Sequence, residues 1–219
     1  MRTVVRRAAL TIAATLVAAT ATAADFRLLE LGGFHVKWGE PRLGSRAEIS
    51  YGFADGRRSF PDAINCRELE AAERLPVAQG ELAKVAAEAF RLWSAAAAVS
   101  FREARPGERP DILIGAQGRP EGIAFANVWP DRGRAHDGVA PLAEATICLN
   151  PTLAWVPDAA GRGQADLGTV LAHEIGHALG LDHPGPTGAL MGYRDQGDID
   201  VLMAGDVGGA VALYGPPKR

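Results

Sequence analysis

The stretch His173-Glu174-Ile175-Gly176-His177-Ala178-Leu179-Gly180-Leu181-Asp182-His183 decides how this chain is read. It closes an amphipathic run in which Leu167, Val170, Leu171, Ile175, Ala178 and Leu179 form one apolar stripe. The spacing predicts a helix over Leu167 to Leu179, with Asp166 as N-cap and Gly180 as its stop. Residues four apart share a helical face, so His173 and His177 can present two imidazoles to one ion. Glu174 falls beside them, on what reads as a solvent-facing arc. A helix continued past Leu179 would carry His183 away from that face. Gly180 tolerates a left-handed conformation that turns the chain back and brings His183 in as a third ligand.

Three neutral imidazoles leave one tetrahedral position open, as in a catalytic zinc site rather than a closed structural one. One zinc ion there would acidify a water and polarise a carbonyl. Glu174, as general base, would take the proton and pass it to the leaving amine. The reaction class is amide hydrolysis without an acyl-enzyme. A chance match on an exposed helix is one competing reading, but three of the chain's five His fall within these eleven residues. A zinc-binding adhesion or interaction module without turnover is the other. Such a module has no need of Glu174.

The 219 residues carry 23 Lys plus Arg against 26 Asp plus Glu, a net charge of −3. A hydrophobic fraction of 47 % and a charged fraction of 22 % exclude disorder and cysteine-stapled miniproteins. The balance supplies no field for nucleic acid. Arg2, Arg6 and Arg7 precede an uncharged stretch from Ala8 to Ala24 with the small-residue pattern Ala21-Thr22-Ala23. These features predict a signal peptide over residues 1–23 and one domain over 24–219, secreted to the periplasm or beyond. A transmembrane anchor is the rival, on a stretch short for a bilayer span. Cleavage after Ala23 would leave 20 basic against 26 acidic residues, no anchor, and a monomer as the simplest state. Cys66 and Cys148 are an even pair in an oxidising compartment, which fits one disulfide; two buried thiols are the alternative.

Residues from about Phe34 onward read as one α+β unit. Ala47 to Phe53 alternates as a first strand. Apolar residues from Leu82 to Ala97 recur at helical spacing, with Gly80 ahead of them. Short strands are expected at Val99–Arg102, Asp111–Ile114, Ile123–Trp129 and Ala145–Leu149, with a surface loop from Pro130 to Pro141. A last helix is expected over Asp206–Tyr214, weakened by Gly208 and Gly209.

The HExxHxxGxxH pattern at 173–183 resembles that of the metzincin metallopeptidases, and Met191, eight residues beyond His183, is similar in spacing to the Met-turn of the matrixins. Lys37-Trp38, Ala89 to Ser94, Asp111 to Ile114 and Asp206 to Gly215 extend the likeness over most of the chain. The resemblance implies a zincin fold: a twisted mixed sheet of about five strands, a first long helix, the active-site helix and a C-terminal helix. It implies polypeptide substrates, and an edge strand, here Ile123 to Trp129 with Ala124, Phe125, Ala126 and Asn127 at its centre, that pairs with them.

Three departures from the animal matrixins stand out. Asn127 and Cys148 occupy the positions comparable to ligands of a second, structural zinc, so that site is not expected, and His136 beside Asp137 reads as an exposed loop residue. Cys66 lacks the propeptide setting of a cysteine switch, and no propeptide fits before Trp38. Tyr193, two residues after Met191, is either a ligand or transition-state donor, or a wall of the specificity pocket. Asp195 to Asp200 allow a calcium site but carry no EF-hand pattern.

Overall fold

The computed structural model describes residues 25–156, 165–185, 189–192 and 201–217. The expected signal peptide, Tyr193 and the Asp195–Asp200 cluster lie outside them. A parallel crossover sets the frame. Strand β4 (Ala47–Phe53) runs into helix α1 (Gln79–Ala96), which returns to β7 (Val99–Glu103), parallel to β4. Next come β8 (Ile112–Gln117), parallel to β4, and β10 (Val139–Leu149), parallel to β8. β9 (Ala124–Pro130) pairs antiparallel with β10 and forms the edge. These five longer strands are the expected sheet.

Short strands enlarge it to nine among the described residues. They are β2 (Glu30–Leu31), β3 (Phe34–Lys37), β5 (Arg58–Ser59) and β6 (Glu68–Glu70). β3 pairs in parallel with the start of β10, and β6 pairs antiparallel with β8. Two further two-stranded pairs stand apart from this sheet. β1 (Arg27–Leu28) joins β13 (Leu181–Asp182), and β11 (Trp155–Val156) joins β12 (Ala165–Asp166).

Strand alternation divides the sheet's two faces. Ile112, Ile114, Ala145, Ile147 and Leu149 join the main core with α1 and with α2 (Leu167–Leu179). Leu113 and Cys148 point the other way, into a second cluster with Leu69, Phe60 and Cys66 of the β5–β6 hairpin. Helix α3 (Ala204–Tyr214) closes the C-terminal side.

Several boundaries differ from expectation. The compact unit extends upstream of Phe34, because Arg27–Leu28 pair with Leu181–Asp182 and Arg27 meets Asp182 at 3.0 Å. Gly80 lies inside α1 and not ahead of it, since the helix starts at Gln79 on the extended Ala78. Ala204 rather than Asp206 opens α3. The 130–141 loop is shortened by β10, which begins at Val139.

Candidate metal centre and cleft

Helix α2 is built as its sequence specifies. The Asp166 carboxylate accepts from the Thr169 N–H at 2.7 Å, and Gly180 takes a φ of 104°. The Val36 carbonyl packs where a Gly180 Cβ would stand, so both φ and space demand glycine. A helix leaves its last four carbonyls without partners inside it. Here the Gly180 N–H donates to the Gly176 and His177 carbonyls, the Trp38 indole to Ala178 (2.7 Å), and the Tyr214 hydroxyl to Leu179 (2.6 Å). The end from which His183 departs is therefore fixed.

That turn brings the three Nε2 atoms of His173, His177 and His183 to 3.1, 3.1 and 3.2 Å from one another. They form the one such cluster of potential ligands among the described residues. The Nδ1 of His173 lies 2.6 Å from the Leu190 carbonyl and that of His177 lies 2.9 Å from the Leu181 carbonyl. An Nδ1–H donated to each carbonyl leaves the Nε2 lone pairs facing inward. Burial lowers the His177 pKa to about 3, aided by its imidazole neighbours, and burial lowers that of His183. Neutral imidazoles with converging lone pairs, spaced for ligands about 2.0–2.1 Å from a shared ion, fit zinc.

Glu174 departs from the expected solvent-facing arc. It is only 7 % exposed, tucked beneath β9, because the sheet edge covers that side of α2. Burial raises its pKa to about 8, while the Ala126 N–H that bonds it pulls the other way. Met191 is buried beneath the ligands, against Gly176, where a Cβ would collide with its sulfur.

Its backbone is held by the residue at which the last helix was expected to start. Asp206, 2 % exposed, accepts from the N–H groups of Leu190, Met191 and Met203 at 2.8–3.0 Å. A lone acid near a helix start carries no signal of that reach. The turn above it folds into place only in three dimensions.

The imidazoles and Glu174 line a cavity of about 770 Å³ that runs beneath β9. Ala124, Phe125, Ala126 and Asn127 all border it. Asn127 and Cys148 are committed to protein partners: the Asn127 amide bonds the Asn65 backbone and Cys148 is joined to Cys66. His136 is exposed, its Nδ1 3.1 Å from Asp137. A helix with two imidazoles, a third from a glycine-turned strand and a buried Met below define a zincin-type metal centre.

The matrixin family profile matches residues 61–215, and the chain belongs to the matrixin family, whose members are zinc-dependent. It is 31 % identical over 147 residues to metalloendoproteinase 1-MMP of Arabidopsis thaliana, covering 60 % of this chain and 37 % of that protein. Matrix metalloproteinase-19 of Mus musculus is 35 % identical over 133 residues, 58 % of this chain and 24 % of its own. Interstitial collagenase of Oryctolagus cuniculus is 29 % identical over 142 residues, 60 % of this chain and 28 % of its own. The chain thus spans well under half the length of these relatives.

Proposed function

We propose that this chain is a secreted zinc endopeptidase that cleaves extended polypeptides, with His173, His177 and His183 holding the ion and Glu174 as general base. The observation that carries this is the convergence of three imidazoles beside a buried carboxylate, in a cleft roofed by an edge strand. A zinc ion held there supplies Lewis acidity for the scissile carbonyl and for a water.

The chain's own residues do the rest. Glu174 sits at the wall of the cleft, where burial raises its carboxyl pKa toward the range in which a group both accepts and returns a proton efficiently. It takes the proton from water and delivers it to the leaving amine. In the β9–β10 ladder, backbone groups alternate between facing the partner strand and facing away. The Ala126 N–H faces Glu174, so Ala124 and Val128 share its outward direction and offer a template for a substrate in strand form.

Residues 1–23 serve as the export signal in this reading. The Cys66–Cys148 bond suits an oxidising compartment. No helix among the described residues is long and apolar enough to cross a membrane.

The test is proteolysis of a denatured protein by the expressed chain, with its zinc content measured alongside. Wild type is expected to cleave, to stop on chelation and to recover with zinc. Glu174→Ala should lose about 10²–10⁴-fold in rate. Zinc binding without any cleavage that Glu174→Ala abolishes would identify a binding module instead.

A further inference from the structure

One wall of the cleft comes from outside the sheet. Residues 60–67 close the β5–β6 hairpin and are pinned from several directions. Cys66 is bonded to Cys148 on β10, and the Phe60 ring stacks on Trp129 of β9 at 5.1 Å. The Asn127 amide donates to the Asn65 carbonyl at 3.0 Å and accepts from the Asn65 N–H at 3.4 Å. Arg67 Nε donates to the Ala63 carbonyl at 3.1 Å. Asn127, 8 % exposed, thereby gives the loop the two bonds that a neighbouring strand would give.

This clamp turns Asp62–Asn65 into a wall of the cavity that holds the imidazoles. At its crest Ile64 is 82 % exposed, the most exposed large apolar side chain among the described residues. Its backbone is already ordered by the bonds to Asn65 and Ala63, so covering it with a ligand costs little additional chain entropy. Leu29 and Leu31 line the same cavity, and the Arg132 guanidinium, just past β9, lies against Gly32. The cleft is therefore lined by apolar groups from two separate parts of the chain.

We infer that Ile64 forms an apolar subsite for the polypeptide substrate, displaced along the cleft from the bond that is cut; this rests on the peptidase reading. Asn127, which holds the loop, follows directly on Ala126, the residue facing Glu174. A strand rises about 3.3 Å per residue, so a loop anchored one residue from Ala126 places Ile64 within about three substrate residues of the scissile bond. Alternate residues of an extended chain face the same way, so one substrate position is selected. Asn127 acts as a positioning residue through the loop.

The experiment uses the full zinc-loaded chain and a peptide set in which each position within three residues of the cleaved bond carries Leu or Asp. Wild type is expected to favour Leu about ten-fold in kcat/KM at one of these positions, the scale of burying one aliphatic side chain. Ile64→Asp should erase or invert that preference alone, and Ile64→Leu should restore it. An unchanged preference in Ile64→Asp overturns the inference. If no peptide is cut, the peptidase reading fails separately, and calorimetric binding of the same peptides decides. The Leu peptide must then bind about ten-fold more tightly to wild type and no more tightly to Ile64→Asp. Equal binding by both proteins overturns the subsite.

Discussion

Gly176 stands between two ligands with the Met191 sulfur and the Trp93 ring where its Cβ would be. Adding one methyl must push Met191 out from beneath the imidazoles. Gly176→Ala is expected to cost about 1–3 kcal/mol, by analogy with overpacked cores, and to weaken zinc retention; denaturant unfolding and dialysis against chelator measure both. Lys37 poses the opposite problem. Its fully buried ammonium donates to the Trp38 and Glu40 carbonyls and the Ser45 hydroxyl at 2.6–3.0 Å, over the Tyr214 ring. Lys37→Met would strand those acceptors, at about 2 kcal/mol. Burial lowers the Lys37 pKa from 10.5 to about 8 in the folded chain, against the pull of Glu40. Between those values the unfolded chain binds more protons, so this group adds stability as pH rises through that window. Unfolding at pH 7 and pH 10 should show the slope in wild type and not in Lys37→Met. A lysine beside Val36 reads as surface in the sequence, which is why β3 was not among the expected strands. His173, His177 and Glu174 were legible because helical spacing places them together, and His183 because Gly180 permits the chain to turn back. Their burial was not, since it depends on β9.

At the scale of elements, α2 was readable from end to end. Its apolar stripe, Asp166 cap and Gly180 stop agree, and the helix runs from Leu167 to Leu179 as expected. The first turn of α1 escaped because Gln79-Gly80-Glu81 offers no apolar residue to the pattern. β5 and β6 escaped because Arg58, Glu68 and Glu70 mask two- and three-residue strands. What holds α2 at its C-terminus is equally hidden, as Trp38 and Tyr214 arrive from far along the chain. Tyr214→Phe removes the partner of the Leu179 carbonyl and of the Trp38 N–H, which meets the hydroxyl at 3.1 Å. The expected cost is about 1–3 kcal/mol. Amide exchange should show faster opening at Gly180 and Leu181, while the α2 N-terminus keeps its protection.

For the whole molecule, the disulfide spans 82 residues and joins the hairpin layer to the sheet. It was the expected reading of an even pair of cysteines in a chain read as exported; its place as the anchor of a cleft wall was not legible. The double variant Cys66→Ser, Cys148→Ser is expected to lose about 2–5 kcal/mol in denaturant unfolding. Thiol labelling of the unreduced wild type should find no free cysteine. The family match starts at residue 61, yet β3 and β4, which pair with β10 and β8, lie upstream of it. A fragment cut at that boundary would lose strands from the interior of the sheet.

The bonds that secure the three-histidine site come from chain that follows it. The ligands occupy 173–183, but the Met191 turn waits for Asp206 and the last carbonyl of α2 waits for Tyr214. A chain that stopped short of residue 206 would thus carry all three histidines without the bonds that hold the turn beneath them. Truncation at the C-terminus is therefore expected to loosen the site while every histidine is retained, a dependence that metal retention by a chain ended before residue 206 would measure.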